Sequence, residues 1–148
     1  MKIVIIASNF NEDITNSLID GALRCYEDTY SKKLDSNFIY KVPGAFEIPS
    51  LINQLLQLDN IKFDAIVTLG SIIKGETAHF EYISKTVTDQ IMNLSINNNQ
   101  NIPVLYGVLT TLNYQQALAR AKKDKSNKGY EVMNSAIYMI NQFSNLKK

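Results

Sequence analysis

Four short runs of β-branched and apolar residues, each followed by a longer stretch of helical period, limit what this chain can fold into. Residues 3–7 (IVIIA) are apolar at every position, so a strand there must be covered on both faces, as a central parallel strand is. Residues 38–42, 65–69 and 103–108 are the other candidate strands. Between them apolar positions recur every three or four residues: Ile14, Leu18, Ala22 and Cys25, then Ile48, Leu51, Ile52, Leu55 and Leu56, then Phe80, Ile83, Val87, Ile91 and Leu94. Such spacing draws one apolar stripe along a helix. Asn11 before Glu12 and Asp13 reads as a cap with an acidic first turn, and Asn113 with Gln116 as a capping box. Met133, Ala136, Ile137, Ile140 and Phe143 form the stripe of a last helix.

Strands that alternate with helices pair in parallel through right-handed crossovers. The expectation is an α/β fold: a three-layer α/β/α sandwich on a four-stranded parallel sheet, flavodoxin-like in strand order. With 148 residues and neither a linker nor an internal repeat, residues 1–148 read as a single domain. Lys+Arg number 15 against 14 Asp+Glu, so no basic field marks the chain for nucleic acid. The apolar run at the N-terminus is too short for a signal-peptide core or a membrane span. One cysteine, Cys25, closes no internal disulfide and builds no thiolate metal site. A cytoplasmic protein that binds no membrane is expected.

Sheets of this kind bind ligands outside the carboxyl ends of their strands. The segments that follow the four candidate strands are 8–11, 43–47, 70–79 and 107–111, and topology puts them on one edge. They carry the only histidine, His79. A lone histidine is most often a surface or capping residue. At a helix start beside a ligand edge, a neutral imidazole is also suited to accept or relay a proton near pH 7. No second His or Cys stands near it, so no metal site is expected.

Residues 70–77 (GSIIKGET) nearly spell the G-x-x-x-x-G-K-[ST] phosphate loop, but Glu76 occupies the lysine position and would repel nucleotide phosphates. A nucleoside triphosphatase of that type is excluded. The segment still precedes a helix start, so its amides and Thr77 suit a single phosphate, with a plain connection as the alternative. Phe10 either closes the core edge or stacks on a planar heterocycle. Glu47, after Phe46, is either a first-turn acid or an acceptor for hydroxyl groups. Arg120 and Lys128 belong to a basic run, RAKKDKSNKG, which by itself reads as a solvated turn. From the Asn113 cap to Arg120 is about 10 Å along a helix axis, which suits Arg120 to a neighbouring copy's site rather than its own.

Two binding modules of the same fold are excluded by the loops. A response-regulator receiver needs acidic residues after the first strand and an aspartate ending the third, where Ser8-Asn9 and Leu69-Gly70-Ser71 stand. A flavodoxin needs a Gly- and Ser/Thr-rich phosphate loop, and SNFNED has no glycine.

Five stretches together resemble the lumazine synthase family: SNFNEDITNSLIDGAL, VPGAFEIP, LGSIIKGETAHFEY, PVLYGVLTT, and Gln116-Ala117 with Arg120-Ala121 and Asn127-Lys128-Gly129. They span nearly the whole chain in the family's order. The resemblance implies a condensation of 5-amino-6-(D-ribitylamino)uracil with 3,4-dihydroxy-2-butanone 4-phosphate, with no metal or organic cofactor. It implies that Phe10 stacks on the pyrimidine, that Ala45, Phe46 and Glu47 line the ribityl pocket, and that Ser71, Ile72 and Ile73 contact the uracil mainly through backbone. Glu76, Thr77 and Arg120 would hold the phosphate and His79 would transfer protons. Tyr106 would close the pocket from an adjacent subunit, with Asn11 and Lys128 as accessory residues.

The family assembles as pentamers or multiples of them, with sites at subunit interfaces, so a homo-oligomer is expected and riboflavin synthase is a candidate partner. Two positions depart from the usual pattern: Tyr106 replaces a phenylalanine, and the family's GTKAGNKG segment reads KKDKSNKG, with Asp124 at its lysine position. The alternative from another class is a non-catalytic flavin- or lumazine-binding protein of the same fold. His79, Thr77 and Arg120 speak against it, because chromophore binding needs no phosphate group or proton shuttle.

Overall fold

A computed structural model describes residues 1–146. The strands are β1 (Ile3–Ser8), β2 (Ile39–Val42), β3 (Ala65–Ile73) and β4 (Val104–Thr111). They form one sheet in the order β2-β1-β3-β4, every neighbouring pair parallel. This is the flavodoxin-like order expected from the alternation of elements. The helices are α1 (Glu12–Tyr30), α2 (Ile48–Leu56), α3 (His79–Ile96), α4 (Tyr114–Ala119) and α5 (Lys128–Leu146). Among the described residues no helix is long and apolar enough to cross a membrane.

The uninterrupted apolar character of β1 follows from its place inside the sheet. Ile3, Ile5 and Ala7 join the core under α1 and α5, while Val4 and Ile6 join the core under α2 and α3. All five are fully buried. Two cores, one on each face of the same strand, make the three layers.

The α1–α5 seam depends on a backbone approach. A Cβ on Gly129 would lie 1.8 Å from the Leu18 carbonyl oxygen, so only glycine lets α5 start against α1. Buried Asn127 holds the same corner. Its Oδ1 accepts from the Gly129 and Tyr130 amides at 2.8 and 3.2 Å, capping α5, and its Nδ2 donates to the Ser17 and Lys122 carbonyls.

Several sequence expectations are corrected. β3 runs through Ile73 rather than ending at Leu69, because residues 70–73 pair with Val108, Leu109, Thr110 and Thr111 of an equally extended β4. Residues 107–111 are therefore strand, not a loop, and the connection before α3 shrinks to 74–78. β2 starts at Ile39, with Phe38 in a preceding 3₁₀ turn, and residues 45–47 form another 3₁₀ turn before α2. Asn11 stands at the start of α1 without capping it through its side chain. The Asn113 capping box is offset: Asn113 Oδ1 accepts from the Gln116 amide at 2.9 Å, but Gln116 reaches the amide of Leu112 instead of that of Asn113.

Candidate active site

Backbone bonds bring the first two loops together at the carboxyl edge of the sheet. The Asn9 amide donates to the Val42 carbonyl at 2.8 Å and the Phe10 amide to that of Pro43 at 3.2 Å. Asn11 then takes a left-handed conformation, φ 55 and ψ 53, which asparagine tolerates better than most residues. Its Nδ2 donates to the Ser71 carbonyl at 2.8 Å, pinning the turn to β3. Phe10, just before this turn, is left 72% exposed. That exposure places its ring outside the core rather than closing the core's edge.

Phe10 forms one wall of a concavity of about 600 Å³. Gly44, Ala45, Phe46 and Glu47 form a second wall; Ser71, Ile72 and Ile73 lie along the end of β3; Gly75, Thr77 and His79 close the far side. Phe80 and Ile83 also line it. The spacing that puts both on the apolar stripe of α3, just after His79, also makes them wall of the concavity. Gly44 and Gly75 sit within the VPGAFE and KGET stretches.

Each polar group has a defined setting. Glu47 Oε2 accepts from the Gly44 amide at 2.9 Å, and the Glu47 amide donates back to the Gly44 carbonyl at 3.3 Å. The carboxylate is thereby oriented, and one oxygen remains without a hydrogen bond among the described residues. Glu47 thus fixes its turn and also lines the concavity. Thr77 Oγ1 accepts from the His79 amide at 3.4 Å, and His79 begins α3 with an exposed side chain.

The end of β3 supplies backbone polarity. Since the Lys74 amide bonds the Thr111 carbonyl, even-numbered residues here turn their N–H and C=O groups to β4 and odd-numbered ones turn away. β1 pairs with β3 only as far as Leu69. Beyond that no strand lies opposite Ser71 and Ile73; the Ser71 carbonyl accepts from Asn11 Nδ2, and the other backbone groups of these two residues face away from β4. The amides of 75–78 make no hydrogen bond among the described residues and precede the positive end of an 18-residue helix.

Other named residues lie elsewhere. Glu76 is exposed on the connection beside the concavity without lining it. Tyr106 is half-buried between β4 and α3, its hydroxyl bonded to that of Thr88 at 2.8 Å. Burial pushes the Tyr106 phenol up, and the Thr88 bond partly offsets this. Arg120 and Lys128 share a second, separate concavity of about 270 Å³ along the end of β4, with Thr110, Thr111, Ser126 and Glu131. The Lys128 amide donates to the Arg120 carbonyl at 2.8 Å, so the corner built by Asn127 brings the two cations together.

The chain thus carries two separate concavities, one lined by residues between Phe10 and Ile83 and the other by residues between Val108 and Glu131, where Lys128 Nζ lies 2.7 Å from Glu131 Oε1. Comparison with known proteins gives the same direction. Residues 1–144 match the family described as 6,7-dimethyl-8-ribityllumazine synthase. The chain is 43% identical over 140 residues to the 6,7-dimethyl-8-ribityllumazine synthase of Campylobacter jejuni subsp. doylei, covering 95% of this chain and 88% of that protein. The enzyme of the same name from Campylobacter jejuni subsp. jejuni is 42% identical over the same share of both chains. On the family match and these identities, the chain belongs to the 6,7-dimethyl-8-ribityllumazine synthase family.

Proposed function

We propose that the chain catalyses the condensation of 5-amino-6-(D-ribitylamino)uracil with 3,4-dihydroxy-2-butanone 4-phosphate to 6,7-dimethyl-8-ribityllumazine, releasing phosphate and water, in riboflavin biosynthesis. The observation that carries this reading is one concavity holding an exposed aromatic, an oriented carboxylate, a strand end with no strand beside it, a helix start and the only histidine. Each matches one part of the two reactants. Phe10 covers the face of the pyrimidine, and the Ser71 and Ile73 backbone pairs with its polar edge, with Ile72 between them. Glu47 accepts hydroxyls of the ribityl chain beside Ala45 and Phe46. The amides of 75–78, including that of Glu76, hold the phosphate together with the Thr77 hydroxyl.

The amine attacks the ketone and water leaves to give an imine, phosphate is then eliminated, and the second nitrogen closes the ring with loss of another water. His79 moves protons during these steps. Orientation of two bound reactants supplies most of the acceleration, because well-aligned partners gain on the order of 10⁵ M or more in effective concentration.

The chain works as a homo-oligomer, a pentamer or a multiple of it, in which the Arg120–Lys128 concavity of one copy completes the phosphate site of the next and Tyr106 closes that pocket. The separation of the two concavities supports this arrangement, as do Tyr82 and Ile96 of α3, left 73% and 71% exposed. The free, buried Cys25 fits action in the reducing cytoplasm.

The test is to mix purified protein with both substrates and follow lumazine absorbance against a protein-free control. The expected result is a rate well above the control that falls in Arg120→Ala through a raised KM for the butanone phosphate. A rate equal to the control refutes the reaction, and an unchanged KM in Arg120→Ala refutes the phosphate role.

A further inference from the structure

The connection 74–78 is tied at its ends by groups that the chemistry above leaves unused. Lys74 closes β3 through its amide bond to Thr111, and its Nζ lies 2.6 Å from Glu81 Oε1 in the first turn of α3. Between these residues the chain has little to shape it. Gly75 has no atom within 4 Å of where a Cβ would stand, and residues 75–78 are all exposed. Beside the Thr77–His79 bond, the ion pair is the side-chain tie between the end of β3 and α3 among the described residues.

Charge makes the pair necessary as well as convenient. Glu81 unpaired in the first turn would compete with an incoming phosphate for the positive helix end. Lys74 free beside the connection would add a mobile cation where fixed amides already do the binding. Held together, each cancels the other.

We propose that the Lys74–Glu81 ion pair is a strap that sets the curve of residues 75–78 and masks the Glu81 charge, making both residues positioning residues for the phosphate-bearing substrate. This rests on the reaction proposed above. The Glu81 carboxyl, whose pKa is lowered chiefly by its bond to Lys74, stays ionised at neutral pH, in agreement with the pair.

The test compares Lys74→Gln, Glu81→Gln, Lys74→Arg and the reversed double variant K74E/E81K. Half-exposed ion pairs act weakly, so each Gln variant should raise KM for the butanone phosphate by about two- to five-fold. KM for the aminopyrimidine and kcat should stay as in the parent. Lys74→Arg and K74E/E81K should return KM to within about twofold, and the differences should shrink in about 1 M NaCl. Titrating the same series with inorganic phosphate, followed by thermal shift, should give the same order without turnover. If Lys74 instead contacts phosphate directly, Glu81→Gln will lower KM and the reversed pair will fail to rescue, which overturns the strap. Unchanged KM and phosphate response in both Gln variants also overturns it. An inactive parent whose variants keep the predicted phosphate order refutes the reaction and leaves the strap standing.

Discussion

Asn11 carries two burdens that substitution can separate. It sits in the left-handed region at φ 55, and its side chain donates to the Ser71 carbonyl at 2.8 Å. Asn11→Gly keeps the backbone comfortable and removes only the hydrogen bond, a loss of about 1 kcal/mol. Asn11→Ala removes the same bond and also forces a Cβ without a local polar group into the left-handed region, adding about 1 kcal/mol more. For a chain of this length 1 kcal/mol moves Tm by about 2–4 °C, so the expected drops are about 3 °C for glycine and about 6 °C for alanine. Circular-dichroism melts at fixed protein concentration measure both. Because Phe10 is carried on the same turn, KM for the aminopyrimidine should rise in both variants while KM for the butanone phosphate stays constant. Equal Tm drops would refute the backbone part of this reasoning. Unchanged aminopyrimidine KM in both would show that the Asn11–Ser71 tie does not hold Phe10 in place.

His79→Ala should lower kcat by about 10²–10³-fold and leave a measurable rate, since positioning survives loss of the proton-transfer group; single-turnover absorbance traces decide this, and complete loss with the fold intact would contradict it. Asp13 accepts a hydrogen bond from the Tyr114 hydroxyl, which holds its carboxyl below the ordinary value of 3.8. A carboxyl lowered in the folded state stabilises it above that value and ceases to do so as pH falls through the folded value. Asp13→Asn should therefore lower Tm at pH 7 and converge with the parent in acid; a gap that persists at the lowest pH would show a cause other than ionisation. Gly129→Ala drives a Cβ to 1.8 Å from the Leu18 carbonyl and should cost about 3 kcal/mol in urea unfolding, against a neutral outcome if the α1–α5 seam can relax.

The layers and strand order are legible because β1 has no polar face: with both sides apolar it can only be internal, and alternation with helices leaves few topologies. The first concavity is legible because its parts lie in short local segments at strand ends. The rest depends on pairings across long sequence distances. Gly70 and Ser71 have turn chemistry, yet they extend β3 because Val108 and Leu109 lie alongside. Nothing local to Asn113 tells that Gln116 will reach past it to Leu112. Tyr114 finds Asp13 across 101 positions, with no periodicity to announce it. The nearness of Arg120 to Lys128 is likewise invisible in the run RAKKDKSNKG, since the buried Asn127 between them makes that corner by bonding Ser17 on another helix.

The central claim is that two concavities of one fold combine, across neighbouring copies, into a site that joins the two substrates. His79→Ala and Arg120→Ala, each damaged in a different concavity, test it when unfolded together in equal amounts and refolded as mixed assemblies. Random assembly should leave about a quarter of the sites with an intact half from each neighbour, the product of two independent one-in-two choices. Assayed with the butanone phosphate below the parent's KM, where the Arg120→Ala defect is expressed, the predicted result is a specific activity near a quarter of the parent's, well above either variant refolded alone. Activity no higher than the average of the two separate variants would contradict a site shared between chains.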